Sequence, residues 1–347
     1  MPDLVGVGAI NLDFILDSAQ VGGLTAGERG VVLARFEHGT ERPASEPEIL
    51  DALERVAALE PVVSPGGSAL NTVTVAARSC GVGVGYVGVC GRSPSERFDF
   101  PAWFRRVGVD TRKLRHSVQT CGLCVSYTHG GQRSMLTWDG ANDEIFAHLG
   151  ASLDELLGYC GTARVVHATS FAGGRDPASL ARLLRRLRAE HPGVLISVDP
   201  GARWSIPGRP PSVDDLVDVA DYVFVNAGEF DWWTGRPPRA TDVDAASRFF
   251  RDRPRMAGFL VLKRHDRVQL FRRDGRGVAE RAFANSEVLE SSAILDDTGA
   301  GDAFAAGFLS GVGLLGLDTA ASVFLGQRLA RAQLQSVGML GRRGSIS

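Results

Sequence analysis

One segment of the chain carries residue types that could do chemistry together: Asp296-Asp297-Thr298-Gly299-Ala300-Gly301-Asp302, followed by the small-residue run Ala303 to Gly311. Thr298, Gly299, Ala300 and Gly301 precede a helical pattern, and the N–H groups that open a helix have no partner inside it. Those amides and the positive end of the helix dipole make a cradle for an anion, above all a phosphate. It is not the P-loop, because G-x-x-x-x-G-K-[ST] and its lysine are absent. A carboxylate in the first turn often does no more than complement the dipole, for about 0.3–1 kcal/mol. Beside an anion hole, however, Asp302 would repel a resting phosphate. It makes better sense as the acceptor of a proton from a nucleophile attacking that phosphate.

The elements that must position this loop follow from the pattern of apolar runs. Beyond residue 150 the chain alternates strictly: helix "SLDELLGYC", strand "ARVVHATSF", helix "DPASLARLLRRLRAE", strand "VLISVDPG", helix "SVDDLVDVA", strand "YVFVNAGE". Short, continuously apolar strands between helices predict an α/β fold around a mostly parallel sheet with helices on both faces. Leu180, Leu183, Leu184 and Leu187 form the core stripe of one such helix. Earlier, "LVGVGAINLDFIL" reads as one strand ending in Asn11 and Asp13, "SEPEILDALERVAAL" and Ala69 to Arg78 as helices, and "GVGVGYVGV" as a strand. From Cys121 to Trp138 two β runs meet at "HGGQR", and "GVVLARFEHG" reads as a further short strand. These predict a small second sheet. Polar residues recur at strand ends, at Asn11 and Asp13, Asp199, Asn226 and Glu229, and ligands bind there in such sheets.

Composition narrows the function. Of 347 residues, 44% are hydrophobic and 22% charged, so a large core is expected and no apolar run is long enough to span a bilayer. The formal net charge of −2 offers no broad basic field for nucleic acid or a membrane surface. The N-terminus reads as a strand and not as a signal peptide, so a cytoplasmic location is expected. Five scattered cysteines suit reduced thiols, and Cys121 and Cys124 form a C-x-x-C without the second pair a zinc site needs. Gly83 to Gly88 matches G-x-G-x-x-G, but inside a strand, which argues against dinucleotide binding. His38, His129, His167 and His265 lack metal-ligand spacing.

"DDTGAGDAFAAGFLSG" resembles the C-terminal signature of the ribokinase or PfkB family of carbohydrate and nucleoside kinases. "SPGGSALNTVTVAARSCG", "GAINLD" and "NAGE" resemble further motifs of that family, in the same order, over residues 4 to about 335. The resemblance implies a single ribokinase-like domain over 1–347, with a β lid built from about 14–45 and 118–140. It implies Asp302 as catalytic base and Gly299, Ala300 and Gly301 as the anion hole. Asn11, Asp13, Gly66, Gly67 and Asn71 would hold the acceptor. Asn226, Lys263, Thr298, Gly299 and Gly301 would contact ATP, and Asn226, Glu229 and Asp296 would serve metal ions: magnesium, and near Asp296 a monovalent cation such as potassium. Two motifs depart from the family pattern. Ser93 in "GVCGRS" replaces an acid, and in "LKRHDRVQLF" Lys263 is kept while His265 and Val268 stand where glycines would be.

The segment between the two N-terminal motifs resembles the adenosine-kinase-like subgroup, with Phe14 and Phe36 as candidates to stack on a base or sugar. The expectation is an ATP-dependent kinase acting on a primary hydroxyl of a ribonucleoside or related furanose. A hexose, inositol or phosphosugar kinase is the alternative, for which Arg29, Arg35 or Arg133 would supply cations. A non-catalytic sugar- or nucleotide-binding regulator is the rival from another class. A homodimer through the lid is the expected assembly.

Overall fold

The computed structural model describes residues 1–339 apart from 130–131, 172–174, 207, 238, 276, 286 and 291–292. Its main sheet has nine strands in the order β14-β13-β12-β11-β10-β9-β1-β5-β6. They are β1 (Leu4–Val7), β5 (Val84–Arg92), β6 (Val109–Thr120), β9 (Val165–Thr169), β10 (Leu195–Asp199), β11 (Tyr222–Asn226), β12 (Phe259–Lys263), β13 (Arg267–Asp274) and β14 (Gly277–Ala284). All pairs from β6 to β12 are parallel, and β13 and β14 add an antiparallel edge.

Side chains alternate across a strand, so neighbours serve opposite faces. Val223 and Val225 enter one hydrophobic core with Leu180, Leu183, Leu184 and Leu187, whereas Phe224 enters the other with Leu70, Phe304 and Phe308. Both faces are thus covered by helices, as the uninterrupted apolar strands require.

The second sheet has the order β3-β8-β7-β2-β4, from β2 (Asn11–Leu16), β3 (Glu41–Pro43), β4 (Val62–Gly66), β7 (Gly122–His129) and β8 (Gln132–Trp138). β7 and β8 pair antiparallel as the hairpin pattern predicts, while Gly130 and Gly131 between them lie outside the described residues. Two expectations are corrected here. "LVGVGAINLDFIL" is two strands: β1 belongs to the main sheet and β2 to the small one, so Asn11 and Asp13 open a strand instead of closing one. The turn is pinned from outside, by Asn142 Oδ1 on Ile10 N at 2.8 Å and by Tyr86 Oη on Ala9 O at 2.8 Å. "GVVLARFEHG" is not a strand. Its first residues end a helix, Ala26–Val32, that Thr25 and Glu28 open with a reciprocal capping box.

The helix bearing Asp302, Ala300–Gly313, lies between the helix Ser68–Val75 and the C-terminal helix Thr319–Leu334. Small residues allow the approach. A Cβ on Gly307 would stand 2.8 Å from Gly326 Cα and N, and one on Gly311 would meet Ser322 Oγ at 2.5 Å. In an exposed helix Gly→Ala stabilises by about 1 kcal/mol. Here the contact is with backbone that cannot rotate away, so Gly307→Ala is expected to destabilise by about 1–3 kcal/mol in urea unfolding. A stabilised variant would contradict this packing.

Candidate active site

The strand ends of the main sheet and the opening of the Asp302 helix converge. Gly299 has φ 76°, the left-handed turn that lets the loop swing into the helix, and caps it without a side chain. The amides of the following turn therefore start the helix without a side-chain cap. Asp302 is held from the neighbouring helix: Asn71 Nδ2 donates to its Oδ2 at 2.8 Å, and Thr72 Oγ1 donates to its backbone carbonyl at 3.3 Å. Burial raises Asp302 from the usual 3.8 to about 6, with Asp199 adding to the rise and Asn71, Lys263 and Arg133 opposing it. A carboxylate that releases its proton just below neutrality suits a general base.

Beneath the loop, three successive strand ends bring Asp199, Asn226 and Lys263 together with Glu229. Lys263 Nζ donates to Asp199 Oδ2 at 2.7 Å, and the ammonium sits 3.2 Å from where a Cβ on Gly301 would stand. Asn226 and Glu229 form a capping box, with Glu229 Oε2 accepting from Asn226 N at 2.8 Å and Asn226 Oδ1 from Glu229 N at 2.9 Å. Glu229 is buried and pushed up, first by desolvation and then by Asp199, while Lys263 opposes the rise. Its second carboxylate oxygen lies outside the box. The donor chemistry, carboxylate oxygens of Glu229 and Asp199, fits magnesium, which keeps most of its water and needs only one or two such ligands. Among the described residues no three metal-ligating side chains converge.

From the small sheet, Asn11 and Asp13 lie two residues apart on one face of β2. Gly66 of β4 pairs with Asn11, and any side chain there would collide with the Asp13 carboxylate. Gly67, at φ 108°, caps the Asn71 helix in a place where a Cβ would strike the Ala9 carbonyl. Asp13 is 7% exposed and its Oδ1 has no hydrogen-bond partner. Burial lifts it to about 7, Asp296 and Asp302 push the same way, and Arg133 opposes them. An orphaned, desolvated carboxylate oxygen is a hydrogen-bond acceptor without its donor, a place a hydroxyl could fill.

Thr298 and Asp296 are tied into the loop itself. Asp296 Oδ1 accepts from Thr298 N at 2.9 Å and from Thr298 Oγ1 at 2.5 Å, and its Oδ2 accepts from Gly338 N at 3.0 Å. Arg133 of β8 reaches over from the small sheet, donating through Nη1 to Thr298 Oγ1 at 2.5 Å, with Nε 3.4 Å from Asp297. Of the three arginines weighed for a phosphorylated acceptor, Arg133 alone is bonded to the anion loop. Arg35 pairs with Asp51, and Arg29 bonds the Leu24 carbonyl.

Phe36 packs edge-on against Tyr127 at 5.0 Å, and Ser93 Oγ bonds Ser95 O at 2.9 Å. Cys121 and Cys124 are free and buried, and desolvation raises both thiols. Gly83 to Gly88 runs into β5 as a strand motif. Sequence reasoning passed over Asn142, whose Nδ2 donates to Asn11 Oδ1 at 2.9 Å, and did not count Asp199 among the site residues although its place at a strand end marked it.

Asp13 and Asp302 bind protons more tightly in the folded chain than in the unfolded one, so their ionisation lowers stability as the pH rises from about 4 to about 7. Asp13→Asn removes one such group. Its melting temperature, relative to the parent, is expected to be more favourable at pH 8 than at pH 5. An equal difference at both pH values would mean Asp13 is not desolvated as described.

The sequence pattern of the pfkB family carbohydrate kinases matches residues 44–341. An adenosine kinase of Schizophyllum commune is 25% identical over 251 residues, 67% of this chain and 68% of that protein. Among solved structures, adenosine kinase from Schistosoma mansoni in complex with 2-fluoroadenosine superposes with a TM-score of 0.78 at 19% identity, covering 99% of this chain and 98% of that one. Adenosine kinase from Trypanosoma brucei brucei gives 0.75 at 20% identity, over 96% and 99%. A probable sugar kinase from Rhizobium etli gives 0.73 at 20% identity, over 97% and 94%. With the loop, the strand ends and the second sheet arranged as above on a ribokinase-like fold, the chain belongs to the pfkB family of carbohydrate kinases and is adenosine-kinase-like.

Proposed function

We propose that the protein transfers the γ-phosphoryl group of ATP to a primary hydroxyl of a ribonucleoside or related furanose. The observation that carries this reading is the Asp302 carboxylate, raised to about 6 and fixed by Asn71 at the mouth of an uncapped helix start. Asp13, with its unpartnered oxygen, and Asn11 take the acceptor's hydroxyls. Asp302 accepts the proton of the attacking hydroxyl as its oxygen bonds the γ-phosphorus and the bond to the bridging oxygen breaks, releasing ADP. The amides that follow Gly299 receive the developing charge on the phosphoryl oxygens, a role in which one donor is worth about 2.7–4 kcal/mol of barrier. Lys263 and Arg133 bring positive charge to the loop from below and from the second sheet. Glu229, with Asp199, would hold magnesium through water, and magnesium when bound neutralises phosphate charge. The second sheet, as a lid, excludes water from the reacting groups.

The acceptor is read as unphosphorylated because Arg29 and Arg35 are engaged elsewhere and Arg133 is committed to the anion loop. The relatives named as adenosine kinases support a nucleoside.

The test is magnesium- and ATP-dependent ADP release against ribonucleosides, ribose, fructose, inositol and phosphosugars. Asp302→Asn is expected to lower turnover by about 10²–10⁴-fold while acceptor binding by calorimetry survives. Retained turnover would remove Asp302 as base, and ligand binding without turnover in the parent would favour a regulator. In the parent, kcat/KM is expected to rise with pH from about 6 to about 7 and then level, as Asp302 and then Asp13 lose their protons. Asn71→Ala removes the hydrogen bond that favours the carboxylate, so the rise should move to higher pH. A shift to lower pH would contradict the assignment.

A further inference from the structure

The anion loop is braced from the C-terminal side by one side chain. Gln333, 9% exposed in the last turn of the C-terminal helix, donates Nε2 to Thr298 O at 3.1 Å and to Gly338 O at 3.3 Å. With two carbonyl oxygens in reach, only the NH₂ end of the amide can face them. Asp296 completes the junction, accepting from Thr298 on one oxygen and from Gly338 N on the other. Two carbonyl dipoles and a carboxylate drawn from separate segments form an electron-rich knot that needs positive charge or N–H donors to hold it. Here the Gln333 amide faces the carbonyls and the Gly338 amide faces the carboxylate. The full charge comes from Arg133, which Asp297 and Asp296 hold in its charged form.

We propose that Gln333 does in this protein the structural work of a monovalent cation, so that the anion loop is held in place without potassium. A potassium ion at this junction would have to displace both Gln333 hydrogen bonds and would face the Arg133 guanidinium. Gln333 is a positioning residue: it touches the loop and not the reacting atoms, and it sets where the Thr298 to Gly301 amides stand. The inference rests on the kinase reading only for its effect on turnover.

The parent and the variants Gln333→Ala and Gln333→Glu are compared in potassium and in tetramethylammonium buffers of equal ionic strength, for turnover and for melting temperature. The parent is expected to differ less than about twofold in turnover between the two salts and to melt at the same temperature, since its donors are built in. Both variants should lose about tenfold or more in tetramethylammonium, the scale of two lost hydrogen bonds, and regain turnover in potassium. Their melting temperatures should rise with potassium where the parent's does not. Gln333→Glu is the stricter variant, because it keeps the shape and replaces a donor by an acceptor. Tenfold activation of the parent by potassium would overturn the proposal, as would losses in both variants that potassium leaves unchanged. If the parent turns over no acceptor, the kinase reading fails while the potassium-dependent melting temperatures still decide this one. If a variant folds only in potassium, that dependence is itself the expected result.

Discussion

The hydrogen bond from Asn71 Nδ2 to Asp302 Oδ2, 2.8 Å long, joins residues 231 positions apart, and the site depends on it. It forms only if the helices Ser68–Val75 and Ala300–Gly313 lie side by side. On its other side, Gly307 against Gly326 and Gly311 against Ser322 let the Asp302 helix lie at backbone distance from the C-terminal helix, which fixes its position. Larger side chains would hold them apart, and a displacement of about 1 Å is enough to cost a reaction a hundredfold.

Placing a carboxylate there has an electrostatic consequence. Asp13 and Glu229 are buried and Asp302 is half-buried; all three are raised by desolvation, and each is pushed further by neighbouring acids. Lys263 and Arg133 are the cations that keep this cluster tolerable, one beneath the loop and one across it. The fold would be more stable near neutral pH with fewer of these carboxylates. On the proposed kinase reading they serve to take a proton and to recognise hydroxyls, the usual exchange of stability for function at an active site.

How much of this was legible depended on whether a residue's role is local. The anion loop and Asp302 could be read directly, because a Gly-rich turn before a small-residue helix acts through its own backbone. The parallel sheet was legible from alternating helices and apolar strands. The Ala26–Val32 helix was misread although its capping pair, Thr25 and Glu28, stood at the right spacing. The break between β1 and β2 left no such mark. Gly8, Ala9 and Ile10 are as apolar as the strands they separate, and the chain changes sheet there because Tyr86 and Asn142 hold the turn from elsewhere.

From the sequence alone came the α/β class, the Gly-rich loop with Asp302 and the strand-end acids, since each is written in contiguous residues with a recognisable period or turn chemistry. Tertiary structure alone decided that Gln333 braces the loop, that Arg133 crosses from the second sheet to reach it, and that Asn142 orients Asn11. A polar side chain in a periodic segment looks the same whether it meets water or a carbonyl from a distant strand. Only the packing of the two sheets and three helices settles which it meets.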